Sequence, residues 1–235
     1  MNKSEITKIF YKEKNYSKIK ELLKDCSESW SFNILGKIAL YETNPDLAFE
    51  YFNKAENIYG CAYCKFLTGE IEEARILTTL VKDLSPTNNW LLCITNFLCD
   101  NYNQYPTYFQ IRNFYEQDLE MLFQYKQYEI INKLIKLNSF FETFNREIYK
   151  YSARVLGNNK HYKEAKFMLQ KSLEIYYKDP ETHFMIGEIE EKENNIEKAI
   201  ISYNKAIEVN KEYAPASIRL KDLMNWLYNL DYSVK

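Results

Sequence analysis

Two columns of residues recur at one interval. Ile131, Ala165 and Ala199 are 34 residues apart, and so are Leu119, Ala153 and Gly187. A fixed interval of this length constrains the chain more than any other feature. It calls for one supersecondary unit repeated in tandem, each copy unable to bury its apolar face without its neighbours. The units are helical. Over 196–209, Ile196, Ala199, Ile200, Tyr203, Ala206 and Ile207 fall on one face, the i, i+3, i+4 recurrence of a buried stripe. Five Gly and five Pro in 235 residues are too few for the turns of an all-β chain.

The segment Pro180 to Tyr213 carries Ile186-Gly187, Ala199, Tyr203 and Ala206 at spacings that resemble the tetratricopeptide repeat, a helix–turn–helix of 34 residues. Small residues recur there because two helices cross closely, and an aromatic ring fills the space beside them. The units 112–145 and 146–179 are more degenerate, with Ile131 and Ser172 where alanine is usual. Upstream, Gly36, Ala48 and Ala55 fit the frame, then Ala62, Gly69 and Ala74 in a unit whose first helix must be shortened. The expected fold is all-α: a right-handed tetratricopeptide solenoid of about six antiparallel helix pairs with a capping helix. A truncated pair over 1–28, irregular repeats over 29–111, three regular repeats over 112–213 and a cap over 214–235 make one continuous array. The sequence predicts helices over 4–13, 16–25, 29–42, 45–58, 60–68, 71–84, 88–101, 107–125, 127–138, 140–157, 160–176, 181–193, 195–209 and 214–229. Asn44-Pro45 and Asp179-Pro180 read as N-caps followed by proline at the first helical position.

Catalytic patterns are missing. The five glycines lie far apart, so no phosphate cradle forms, and His161 and His183 sit at predicted helix starts with no nucleophile arrangement around them. Cys61-x-x-Cys64 with Cys93 and Cys99 supplies four thiols. The first pair flanks Ala62 inside a predicted helix, so core packing is the reading and zinc the alternative. No cofactor, metal or small-molecule substrate is expected. A net charge of −2 gives no electrostatic footprint for nucleic acid, and no apolar stretch is long enough to span a membrane. An odd number of cysteines and no secretory leader read as an intracellular chain, in cytoplasm or nucleus.

Ser31 to Ala74 and Leu84 to Leu134 resemble the tetratricopeptide scaffold subunits of the anaphase-promoting complex, the subunit-eight class. The likeness rests on a full helix pair, a shortened helix with Tyr59, Tyr63, Phe66-Leu67 and Gly69-Glu70, then Trp90-Leu91-Leu92-Cys93 and an aromatic-rich helix from Tyr108. The family's chains are longer. The resemblance implies homodimerisation through N-terminal repeats and a scaffold role beside other protein subunits of a ubiquitin ligase. The alternatives are a free adaptor that holds a peptide segment and a ribosome- or RNA-associated repeat protein, the latter drawing on the lysine-rich start. Tetratricopeptide domains that clamp a terminal carboxylate use Lys, Asn and Arg at fixed places. Here those places hold Lys150, Arg154, Met185, Pro215 and Arg219, and only Lys150 and Arg219 match. The candidate partner-binding residues are Tyr115, Tyr149, Lys150, Arg154, Arg219, Trp226 and Tyr228. The last helix also carries Leu220, Leu223, Met224, Leu227 and Leu230 for packing.

Overall fold

The computed structural model describes residues 3–83 and 85–233, with side chains up to Tyr228. The chain divides into two compact units, Met1–Pro106 with Glu120–Leu134, and Thr107–Leu119 with Ile135–Lys235. All regular structure among the described residues is helical, the all-α class that the interval implies.

In the first unit α1 (Lys3–Lys8) runs into a π-helical turn (Ile9–Glu13), followed by α2 (Tyr16–Leu23), α3 (Ser29–Tyr41), α4 (Pro45–Lys54), α5 (Ile58–Thr68), α6 (Ile71–Leu80) and α7 (Pro86–Leu98). From α3 to α7 each helix packs on the next in order. Asn15, Asn44 and Asn57 each accept the backbone N–H three residues on, and Pro45 and Pro86 open their helices. The predicted helix over 71–84 stops at Leu80, and Leu84 itself lies outside the described residues. Ile6, Ile9, Phe10, Ile19, Leu23, Leu35 and Ile38 form one core.

The second unit starts with α8 (Tyr108–Gln110) and a π-helical turn (Ile111–Tyr115) that leads into α9 (Glu116–Gln124), whose residues from Glu120 on belong to the first unit. α10 (Tyr128–Lys136), in the first unit up to Leu134, precedes α11 (Asn138–Phe141), α12 (Ile148–Asn158), α13 (Tyr162–Ile175), α14 (Pro180–Lys192), α15 (Ile196–Val209) and α16 (Ala214–Ser233) of the second. From α12 to α16 each helix again packs on the next. The single helix expected over 140–157 is broken. The buried Asn145 accepts the Glu147 N–H on its own Oδ1 at 3.0 Å and donates to the Tyr108 carbonyl at 3.4 Å, which turns the backbone out of the helix. The side chain of Leu230, expected on the packing stripe of α16, lies outside the described ones.

The interval is written into the backbone as well. Lys126, Lys160 and Asn194, 34 residues apart, all take the left-handed conformation, at φ 59°, 66° and 66°. After each, a backbone N–H reaches back five residues: Gln127 to Leu122, His161 to Leu156 and Asn195 to Glu190. This is the Schellman closure of a helix C-terminus. Thr43, Glu56, Gly69 and Asp100 repeat it in the first unit.

Packing explains the signature residues. Ala48, Ala55, Ala62, Ala74, Leu119, Ile131, Ala153, Ala165, Ala199 and Ala206 are all buried. A Cβ on Gly187 would stand 2.4 Å from Cε1 of Tyr203, and one on Gly36 would stand 2.7 Å from Cε1 of Phe52. In both cases the ring sits 16 residues after the glycine. Gly60 closes on the same Phe52 ring from α5, where a Cβ would meet Cγ at 2.4 Å. Gly187→Leu is therefore expected to destabilise the second unit by about 1–3 kcal/mol in chemical denaturation, the usual penalty of overpacking. Tyr203→Ala in the same chain should recover part of that loss. An unchanged midpoint for Gly187→Leu would contradict the seating.

Candidate functional site

The first helices of successive hairpins in the second unit are tied by charge. Lys150 on α12 is almost wholly buried, with its side chain 6% exposed. Its ammonium meets three carboxylates: Glu147 at the N-cap of its own helix, Asp179 at 3.0 Å and Glu181 at 2.7 Å. Asp179 and Glu181 stand at the start of α14, where Asp179 also caps the helix by accepting the Glu181 N–H. Arg154, one turn along α12, bonds Glu116 of α9 at 2.6 Å and approaches Glu181 at 3.5 Å. At the other end of α14, Glu191 takes Arg219 of α16 in a bidentate pair, with Nε at 3.0 Å, and accepts the Tyr203 hydroxyl at 2.8 Å. These bonds run from α9 through α12 and α14 to α16 and define one face.

Burial alone would push the Lys150 ammonium down, but the three carboxylates more than reverse it and hold its pKa above the ordinary lysine value. Burial would raise Asp179, and the bonds from Thr182, Lys150 and the Glu181 N–H bring it below the usual aspartate value. Glu188, on α14 between these groups in sequence, differs. It makes no hydrogen bond or ion pair with any described residue, and desolvation raises its carboxyl above the ordinary value although the side chain reaches water. Lys192, Arg219 and Arg154 pull it back only in part.

The structure sorts the sequence-predicted residues. Lys150, Arg154 and Arg219 belong to this face, but all three cations already hold carboxylates of the chain itself. Tyr115 is not a surface residue, which corrects its assignment as a partner contact. The π-helical turn carries it inward, where its hydroxyl donates to Asn138 Oδ1 at 2.6 Å and lies 3.1 Å from Ser152 Oγ. Tyr149 is likewise buried, and its hydroxyl donates to Glu142 at 3.1 Å. Trp226 stays 49% exposed, and Tyr228 is exposed too. Arg219, Asp222 and Trp226 follow i, i+3, i+7 spacing and share a face of α16. Sequence reasoning missed the carboxylates. One signal was available: Glu147 and Glu181 are 34 apart, and Lys150 follows the first by a turn.

The cysteines do not converge. No group of three or more His, Cys, Asp or Glu among the described residues is placed to hold a metal ion. Burial pushes the Cys64 thiol, with help from Cys61 and Asp46, and the Cys93 thiol up to about 12.

Residues 180–213 match the tetratricopeptide repeat family. No curated protein matches the chain in sequence. Among solved structures, the chain is similar to YrrB, described as a tetratricopeptide protein with an unusual peptide-binding site, at 14% identity and TM-score 0.38, over 88% of this chain and 98% of that one. It is also similar to a chain of the anaphase-promoting complex hetero-tetramer Cut9–Hcn1, at 16% identity and TM-score 0.41, over 93% of this chain and 48% of that one. A third is TTC0263 of Thermus thermophilus, at 16% identity and TM-score 0.37, over 83% and 98% of the two chains.

Lys150→Met should cost about 2–3 kcal/mol in denaturation, below the full penalty for orphaning a buried ion because Glu147 and Glu181 reach water. Arg154→Met, on the more exposed rung, should cost about 1 kcal/mol or less. The pH dependence has a definite sign. Asp179's contribution is present above the ordinary aspartate value and is lost as pH falls through its lowered one, so the second unit should weaken below about pH 4. Lys150's contribution persists through neutral pH and goes only above the ordinary lysine range. Equal costs for the two substitutions would refute the graded ladder. Separately, EDTA should leave the thermal midpoint unchanged, and Cys64 and Cys93 should resist iodoacetamide near neutral pH until the chain unfolds. A fall in midpoint on chelation would restore the zinc alternative.

Proposed function

We propose that the chain is a non-catalytic, intracellular scaffold that engages other proteins, and that its second unit takes a partner on the face formed by α12, α14 and α16. The observation that carries this is the contrast within that face. Lys150, Arg154 and Arg219 are held by internal carboxylates, while Ile218 and Trp226 on α16 stand 61% and 49% exposed. Large exposed side chains next to a rigid, internally satisfied framework are the anchors of protein interfaces. The tetratricopeptide match over 180–213 covers α14 and α15 and supports the same reading.

A finer reading is a subunit of the anaphase-promoting complex, assembled with other subunits or as a homodimer through the N-terminal repeats. It draws on the resemblance over Ser31 to Leu134. The helix expected to be short there is α5, which over Ile58–Thr68 is no shorter than α4 or α6; in it Tyr59 and Tyr63 stack at 6.1 Å, and Gly69 supplies a left-handed end at φ 89°. Affinity capture of the tagged full chain from its native cells, beside the Ile218→Asp variant, tests both readings. Partners held by the wild type and lost by the variant are expected, and a ligase assembly among them supports the finer reading. Identical recovery by wild type and variant would remove the face from consideration. Size exclusion with light scattering that returned only a monomer would count against the homodimer.

A further inference from the structure

The partner-binding face has a chemistry of its own. Phe184 and Glu188 lie one turn apart on α14, so they share a side of that helix. Ile218 and Asp222 occupy the equivalent places on α16, 34 residues later. The Glu191–Arg219 pair joins the two helices. The face therefore presents an apolar column, Phe184 and Ile218, beside an acidic column, Glu188 and Asp222. Phe184 is half-buried against Tyr203 and Tyr213, and Ile218 is well exposed.

Neither acid of that column has a partner. Glu188 and Asp222 make no hydrogen bond or ion pair with any described residue. Two of the cations that act on Glu188 are already committed, Arg154 to Glu116 and Arg219 to Glu191, while Lys192, one turn along α14, offsets it only without an ion pair. Lys150 is surrounded by three carboxylates, so the ladder carries more negative charge than positive. An incoming carboxylate would find Lys150, Arg154 and Arg219 already engaged and would meet two unpaired acids. An incoming ammonium or guanidinium would find charge-assisted acceptors waiting.

We infer that the occupant of this face is a cationic segment of another protein, an extended stretch in which lysine or arginine alternates with apolar side chains. The apolar residues lie along Phe184 and Ile218, and the basic ones reach Glu188 and Asp222. This rests on the reading of the face as a partner surface. It sets the chain apart from tetratricopeptide domains that clamp a carboxylate, because here the matching cations Lys150 and Arg219 are neutralised from within. The raised Glu188 carboxyl fits the same picture, since a bound cation would bring it down.

The test measures binding of the full chain to three labelled peptides by fluorescence anisotropy: repeated Lys-Leu-Ser triplets, and the Glu-Leu-Ser and Gln-Leu-Ser counterparts. The Lys peptide should bind at least about tenfold tighter than the Glu peptide and weaken as salt is raised. Glu188→Lys with Asp222→Lys should reduce that binding about tenfold or more, whereas paired reversals on an exposed part of α15, Glu197→Lys with Glu208→Lys, make the same change in net charge and should leave it within about twofold. Equal loss from the α15 pair would reveal a diffuse field and overturn the inference. Tighter or equal binding of the Glu peptide, or no binding of any peptide, would overturn it as well. In those cases, partners that the wild type captures and Ile218→Asp loses would still leave the face as a partner surface. Recovery insensitive to Ile218→Asp would end both readings.

Discussion

The seating of an aromatic ring against a helix that lacks a Cβ is the contact on which the rest of this fold depends. Phe52 and Tyr203 each occupy volume that any side chain at Gly36 or Gly187 would claim. The two helices of a hairpin can then approach closely. Dense packing of this kind tolerates neither a void nor an added methyl group without cost. The glycine and the ring specify one crossing of the pair, and the next hairpin builds on the surface that results.

Electrostatics in the second unit acts on that frame rather than creating it. A buried ion pair is weak evidence of net stability, because desolvation opposes attraction. Lys150 is better understood as a register device. Its ammonium fits only where Glu147, Asp179 and Glu181 come together, so a displaced α14 would leave a buried charge without partners. The Tyr115–Asn138–Ser152 hydrogen bonds do comparable work between the π-helical turn, α11 and α12, with all three side chains buried.

Much of the fold was legible from residue types at fixed intervals. The columns through Ala153 and Ala165 marked buried crossings, and Asn44-Pro45 and Asp179-Pro180 marked helix starts, because each is a local requirement of sterics or hydrogen bonding. The break before α12 was hidden. Nothing in the sequence around Asn145 distinguishes an asparagine that folds back on its own backbone from one that faces water. Tyr115 was misjudged for a related reason. Its place in the frame gave no warning of the π-helical turn that brings its hydroxyl to Asn138. The site was less legible still. Lys150 and Arg219 matched a carboxylate-binding pattern by type, and only three-dimensional proximity revealed that Glu181 and Glu191 had already claimed them. Type and interval report what a position can do; they do not report which neighbour reaches it first.

Phe52 also bears on how the molecule can be cut. Tandem repeats are commonly treated as modules that can be removed, duplicated or exchanged at their boundaries. Here one ring serves two clients, Gly36 on one side and Gly60 on the other, so α3, α4 and α5 form a three-helix block rather than a pair and a half. A truncation placed between α4 and α5 would strip one wall from the ring and leave its face in water. Shuffling boundaries in this chain should therefore not fall inside the α3–α5 block.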